Sequence, residues 1–343
     1  MTRHISKYSG TGVVMDSVIV RGQQGLTLIE LLIAMAISLV IALAAIYALV
    51  IARQGFSTVD ASSQLRDNGR FAAELVQRLA VQSGFKDTLY AVSKAVKVAG
   101  AADPDPNITG FNNAWISTSD PLNESVARVL KEEGYGSDVL ILRYQAAETF
   151  RGSAVSDGSM IDCAGNSITT IPASRYDRMI SIIHIGLYQG EPALMCSYSA
   201  TGAAPFTTLP IVQGVENFQV LYGTDHVTAG TASTVATGAG TPNAFLRADQ
   251  ITVVSDPAAT KNNWRRVRSL RIGMVLRGPL NSAQEKVAQT LYPFGMAKSS
   301  DSGTTGSSMG SSDDPGTVFT TPADGRLRQV LTFSVHLRND QGL

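Results

Sequence analysis

The sequence predicts an α+β chain: one long N-terminal helix, membrane-spanning in its first half, packed on an antiparallel β-sheet head. Three observations predict it. Residues Leu31–Ala52 form a run of 22 positions without a formal charge, in which only Ser38 and Tyr47 carry polar side-chain atoms. At about 1.5 Å per residue that run reaches roughly 33 Å, enough to cross a hydrocarbon core of about 30 Å. Beyond it the pattern becomes amphipathic: Leu65, Ala72, Leu75, Val76 and Leu79 fall at helical spacing, with Arg70, Glu74, Gln77 and Arg78 on other faces. Towards the C-terminus the period changes to two, where Leu331, Phe333, Val335 and Leu337 alternate with Thr332, Ser334, His336 and Arg338.

Taken in order, residues 1–25 read as a leader, 26–52 as the spanning half of the helix, 53–84 as its amphipathic half, and 85–343 as a β-rich globular head. Met15 offers an alternative start that still keeps Arg21 ahead of the apolar run. An ordinary secretory signal fits poorly, because its apolar core runs only about 7–15 residues and ends at a small-residue cleavage site. No other stretch matches the apolar run, so a single pass is expected. The helix is expected from about Leu26 to Gln82, with Gly55 and Gly69 each weakening it by about 1 kcal/mol relative to Ala. These glycines are either points where the helix bends or simply tolerated. Strands are expected at Asp138–Gln145, Met179–Tyr188, Ala193–Tyr198, Val215–Tyr222, around Leu270–Leu276 and around Leu331–Leu337. Within the Leu270 segment Val275 breaks the polar side of the alternation. Gly, Ser, Thr and Ala dominate 226–243 and 298–316, which read as flexible loops.

Lys+Arg and Asp+Glu both number 28, so no basic surplus points to nucleic acid. Cys163 and Cys196 are the only cysteines. Beyond a membrane the surroundings are oxidising, so one disulfide closing a loop of about 34 residues is the natural reading, with two separate thiols as the alternative. With no histidine nearby, the two cysteines do not make a metal-ligand set. His4, His184, His226 and His336 are scattered, and His184 and His336 fall inside strand patterns that favour solvent-facing or hydrogen-bonded roles. Gly306-Ser307-Ser308-Met309-Gly310 matches G-x-S-x-G but has no flanking strand and helix, so a nucleophile elbow is not expected. Asp103-Pro104-Asp105-Pro106-Asn107 opens like a calcium loop but lacks Gly at the sixth position and Glu at the twelfth. No phosphate loop or dinucleotide fingerprint follows a strand. We therefore expect a non-enzyme without cofactor or metal.

The segment Arg21-Gly22-Gln23-Gln24-Gly25-Leu26-Thr27-Leu28-Ile29-Glu30 at the threshold of the apolar run resembles the type IV prepilin signal. That resemblance implies cleavage between Gly25 and Leu26 by a prepilin peptidase and N-methylation of Leu26. It also implies a role for Glu30 in assembly. Leu26 departs from the family's usual Phe but keeps its apolar character. A carboxylate entering lipid costs roughly 2.5–3.5 kcal/mol on insertion scales. In the family its partner is taken to be the free amine of a neighbouring subunit; the alternative is a solvated Glu30 at headgroup level. Gln64-Leu65-Arg66-Asp67-Asn68-Gly69-Arg70-Phe71-Ala72 resembles minor pilins of the PilW type, as do 138–144, 214–223, 267–277 and 328–339. The implied protein is a structural minor pilin that primes a type IV pilus and sits at or near its tip, supporting twitching motility or adhesion. Its implied partners are other minor pilins, the major pilin and the inner-membrane assembly platform. It would reside in the inner membrane with a periplasmic head before entering the pilus. A type II secretion pseudopilin shares the same leader and helix and stands as the alternative. A membrane-anchored adhesin or enzyme borrowing the leader would need a catalytic constellation in the head.

Overall fold

The computed structural model describes residues 25, 27–87, 104–174, 176–199, 201–235, 240–295 and 316–339. The chain divides into two compact units, Met1–Arg53 and Gln54–Leu343. A single helix, α1 (Leu28–Gln82), spans this boundary, close to the expected Leu26–Gln82. In the first unit every residue from Leu28 to Arg53 is exposed. Among the described residues this is the one helix long and apolar enough to cross a membrane. Ser38 donates its hydroxyl to Ala34 O at 2.7 Å, so its polar atom stays satisfied within the helix.

In the second unit the buried positions of α1 are Ala61, Leu65, Gly69, Ala72, Val76, Leu79, Ala80 and Gln82, one face at three- and four-residue spacing. That face meets two antiparallel sheets. The first has the order β1 (Ile108–Phe111), β4 (Val139–Tyr144), β5 (Met179–Tyr188), β6 (Glu191–Ser199), β7 (Thr207–Gln213). The second runs β13 (Arg328–His336), β10 (Val267–Arg277), β8 (Val215–Thr224), β9 (Ala244–Leu246). Two small hairpins complete the β structure: β2 (Ala114–Ile116) with β3 (Ser125–Ala127), and β11 (Thr290–Leu291) with β12 (Phe319–Thr320). Two short helices follow β9, α2 (Ala248–Ile251) and α3 (Pro257–Trp264).

One core joins Leu65, Val76 and Leu79 of α1 to Leu142, Ile183 and Leu194 of the first sheet and to Phe218, Ile272 and Met274 of the second. The other face of the first sheet packs Val139, Ile141, Ile180 and Ile182 against Phe111, Ile116, Leu122 and Phe206. Burial on both faces explains why β4 reads as a near-continuous apolar segment rather than as an alternating one; β8 is buried along its whole length too, although it carries Glu216, Asn217 and Gln219. The break at Val275 has the same origin, because β10 is covered on its second face too. A Cβ on Gly273 would lie 2.7 Å from Pro293 Cβ, and Thr332 donates to Pro293 O at 2.5 Å.

Cys163 and Cys196 form a disulfide, with Cα atoms 5.6 Å apart, that ties the 159–166 loop to β6. In 226–243, the described residues are held by side chains. His226 N donates to Asn243 Oδ1 at 2.9 Å, Ser233 N to Asn263 Oδ1 at 3.1 Å, and Gly240 N to Asp225 Oδ2 at 2.8 Å. Most of 298–316 lies outside the described residues, as do residues 1–24 of the leader, Leu26 and the Gly306–Gly310 motif.

Candidate functional site: the helix start and the sheet junction

Gly25 is exposed and has open space around its Cα, and Leu26 lies outside the described residues. Helix α1 begins immediately afterwards because Thr27 caps it. Its Oγ1 accepts from Glu30 N at 3.3 Å, and its carbonyl accepts from Glu30 N at 3.1 Å and from Leu31 N at 3.2 Å. Thr27-Leu28-Ile29-Glu30 is the S/T-x-x-E pattern of a capping box, a signal that a reading of the segment as a leader motif alone passes over. Glu30 is exposed in the first turn, where the positive end of the helix dipole favours a carboxylate. Its side chain makes no hydrogen bond or ion pair among the described residues, so it remains available to a partner.

At its other end α1 stops at Gln82. Gly84 adopts φ +79°, the left-handed conformation of a helix C-terminus, and donates to Arg143 O at 2.9 Å. Asn339 Nδ2 donates to Val81 O at 3.0 Å and to Ser83 O at 3.1 Å, so the segment that follows β13 closes the helix end.

The sequence segments singled out between 138 and 339 converge on one junction. Asp138, at the head of β4, accepts from Asn113 N at 2.9 Å and from Val220 N at 2.8 Å, linking the two sheets. Burial pushes its carboxyl up to about 7 against the pull of those two N–H donors. In β8 Asn217 donates to Tyr135 O at 3.0 Å, and Gln219 Nε2 donates to Thr317 O at 2.7 Å. Gly214 makes the turn into β8 at φ +81°, with a Cβ position only 2.6 Å from Arg277 O, so both conformation and space require glycine there.

Beside this turn lies a buried ion network. Arg328 holds Glu216 with two bonds, Nε to Oε2 at 2.7 Å and Nη2 to Oε1 at 3.0 Å. Arg277 Nη1 reaches Glu216 Oε1 at 2.9 Å and its Nη2 reaches Glu191 Oε2 at 2.6 Å. Arg326 pairs with Glu191 at 2.8 Å, and Arg328 with Asp324 at 2.7 Å. The side chains of Arg328 and Glu216 are 1% and 3% exposed. Burial alone would push Glu191 up, but Arg277 and Arg326 outweigh it and hold its carboxyl below the ordinary value. The network clamps β6, β8, β10 and the start of β13. Sequence reasoning did not find it, since Glu191 and Arg326 lie 135 positions apart and neither sits in a local motif.

His184 in β5 is buried and hydrogen-bonded, its Nε2 3.0 Å from Ser197 Oγ, which in turn lies 2.7 Å from Thr208 Oγ1. Burial, with Arg128 nearby, pushes it down to about 4. His226 lies against Asp225 at 2.6 Å, and His336 is exposed on β13.

Residues 184–339 match the family model described as Type IV Pilus-assembly protein W, and residues 20–46 match the Prokaryotic N-terminal methylation motif. The first match spans β5 to β13 and contains most of the ion network; the second contains Gly25, Leu26 and Glu30. A type IV-like pilin from Thermus thermophilus is similar in structure at a TM-score of 0.36 and 15% identity, covering 80% of this chain and 98% of that one. No curated protein matches the chain.

Proposed function

We propose that the chain is a type IV pilin-like protein and a minor subunit of a type IV pilus, on the match of its head to the pilus-assembly protein W family and of its start to the N-methylation motif. A prepilin peptidase cuts between Gly25 and Leu26 and methylates Leu26. The apolar half of α1 then anchors a periplasmic head in the inner membrane. With other minor pilins, the major pilin and the assembly platform, the subunit primes the filament and is carried at or near its tip. Its role is structural, without catalysis.

The observation that supports this most is the division of labour along α1. The helix is exposed throughout Leu28–Arg53 and buries one face from Ala61 onward, directly after a methylation motif. Cleaved secretory proteins discard their apolar segment, whereas this one continues without interruption into the helix of the head.

Intact mass of the membrane-purified protein tests the maturation: the expected N-terminus is Leu26 carrying one extra methyl. A mature N-terminus beyond Ala52 would instead mark a discarded signal. A deletion strain scored separately for twitching motility and for exoenzyme secretion tests the pilus assignment, with twitching lost and secretion kept. The reverse pattern would make the chain a type II secretion pseudopilin.

A further inference from the structure

Every residue of α1 from Leu28 to Ser57 is exposed, and Thr58 is the first that the head covers in part. Its Oγ1 donates to Ser282 O at 3.1 Å. Ser282 closes the Pro279–Ser282 turn that follows β10, and this strand runs towards the apolar half of α1. Leu276 Cδ1 lies 3.7 Å from a Cβ on Gly69, and Ser282 meets the helix eleven positions earlier. Thr58 stands six positions after Ala52, about 9 Å of helix rise. One headgroup layer of a bilayer is about 5–8 Å deep. With Leu31–Ala52 spanning the hydrocarbon, the turn falls at the outer edge of that layer.

This turn is firmly held and yet presents an apolar tip. Ser282 is fully buried; its Oγ donates to Pro279 O at 2.7 Å and accepts from Leu327 N at 2.8 Å. Arg326, a member of the ion network, donates from Nη1 to Gly278 O at 3.0 Å, and Ala283 N donates to Gly325 O at 3.0 Å. Asn281 takes a left-handed φ of +61°, which Asn tolerates better than most residues. Leu280, at the tip, is 61% exposed. A lone exposed leucine is ordinary, but two more apolar side chains accompany this one. Val287 downstream is 59% exposed, and Phe56, two positions before Thr58 and on the other side of the helix, is 77% exposed. Beside Val287 the charges of Glu285 and Lys286 offset each other.

We infer that the Pro279–Ser282 turn docks on the bilayer that anchors the chain, with Leu280 entering the boundary between headgroups and acyl chains. The inference rests on the membrane-anchored reading and deepens it, giving the head a lipid contact of its own. Connectivity selects lipid as the occupant, because the turn is tied to α1 just six residues beyond the spanning run. Shape agrees, since a protruding tip enters a fluid phase directly, whereas a protein partner needs a matching hollow. The balanced charges make the contact an apolar one, which a zwitterionic bilayer satisfies. The hydrogen bonds already fix the turn, so docking orders little further chain.

The test uses the full-length chain, one copy per nanodisc of phosphatidylcholine. Cys163 and Cys196 are paired, so an introduced cysteine is the sole thiol open to an environment-sensitive fluorophore, and non-reducing mapping of the native pair verifies folding. Labels are placed at Leu280→Cys, at Leu43→Cys in the apolar run, and at Val254→Cys, which is 85% exposed and precedes the far end of β10. Lipids with a quencher high on the acyl chain should quench the label at 280 at least fivefold more than that at 254. A quencher midway down the chain reports on position 43. Leu280→Asp should cut the quenching of a label at Val287→Cys at least threefold. Equal quenching at 280 and 254, with 43 quenched, overturns the docking and leaves the anchoring intact. A blue-shifted label at 280 that the lipid quencher does not reach means that protein covers the tip, and overturns the docking too. So does a label at 287 that is indifferent to Leu280→Asp. No quenching at 43 overturns the membrane-anchored reading and the docking with it.

Discussion

Glu216 neutralises two arginines that have almost no access to water: Arg328 is 1% and Arg277 8% exposed. Removing that one charge leaves Arg328 with Asp324, and Arg277 with Glu191 and the more distant Glu133 at 3.9 Å. Breaking one partner out of a buried pair typically costs about 3–5 kcal/mol. We expect Glu216→Gln to destabilise the head by an amount in that range, measured by urea unfolding of the full chain in detergent, whereas Arg78→Gln on the exposed face of α1 should change little. Two other buried groups act on pH dependence with opposite signs. Asp138 is raised to about 7 in the fold, so its contribution is complete below about 4 and is lost as pH rises through 7. His184 is lowered to about 4, so its contribution is complete above about 6.5 and is lost as pH falls through 4. Across pH 4–6.5 the two slopes oppose each other, each on the order of 3 kcal/mol over the window. The expected outcome is a nearly flat stability profile in the parent chain. Asp138→Asn should expose a rise with pH and His184→Gln a fall; two flat variants would show that neither group titrates as described.

Gly69 shows how a single position governs the docking of a whole element. The helix passes through it unbroken, and it packs where α1 crosses β10 and β13. A Cβ there would lie 3.4 Å from Leu331 Cδ2 and 3.7 Å from Leu276 Cδ1, both ends of flexible side chains. Gly69→Ala should therefore fit and recover about 0.5–1 kcal/mol of helix propensity. In a head of this size that is a rise of about 1–4 °C in Tm. If filament packing requires the helix to melt there, the same variant will be stabler yet poorer in piliation, which separates a hinge from a tolerated glycine. At this scale the long elements were legible in the sequence and the short ones were not. α1 and β5 are long enough, the one through its helical spacing and the other through a sustained apolar run, to be read directly, and β5 matches the expected Met179–Tyr188. β7 was hidden by Pro210, which is tolerated because the strand is an edge. β1 to β3, β9, β11 and β12 span only two to four residues each, too short to show a period. α3 did carry a readable signal, since Asp256 accepts from Ala259 N at 2.9 Å and Pro257 occupies the first helical position. The maturation segment was legible because its parts are consecutive; the ion network was not, because its partners meet only through the sheet topology.

For the whole molecule the deciding group is Glu30, and its substitution discriminates between two roles that the same carboxylate can play. Within one chain it occupies the third position after the Thr27 cap, where a favourable dipole contributes a few tenths of a kcal/mol to starting the helix. Gln serves at that position as well, so Glu30→Gln preserves the helix start and membrane insertion. In a filament the surroundings change. On the proposed reading helices would bundle away from water, an unpaired carboxylate would become costly, and the amine of a processed neighbour would offset much of that cost. Only cleaved subunits would possess the amine, which on that reading would couple maturation to assembly. We therefore expect Glu30→Gln to accumulate in the membrane at normal levels, processed to Leu26, and to fail to enter or prime pili when it replaces the parent chain in a deletion strain. Piliation is scored by electron microscopy and subunit entry by immunoblot of sheared filaments. Full piliation with Glu30→Gln would mean that recruitment runs through the head and the exposed face of α1 alone. Loss of the protein from the membrane would return Glu30 to a purely local role in starting the helix.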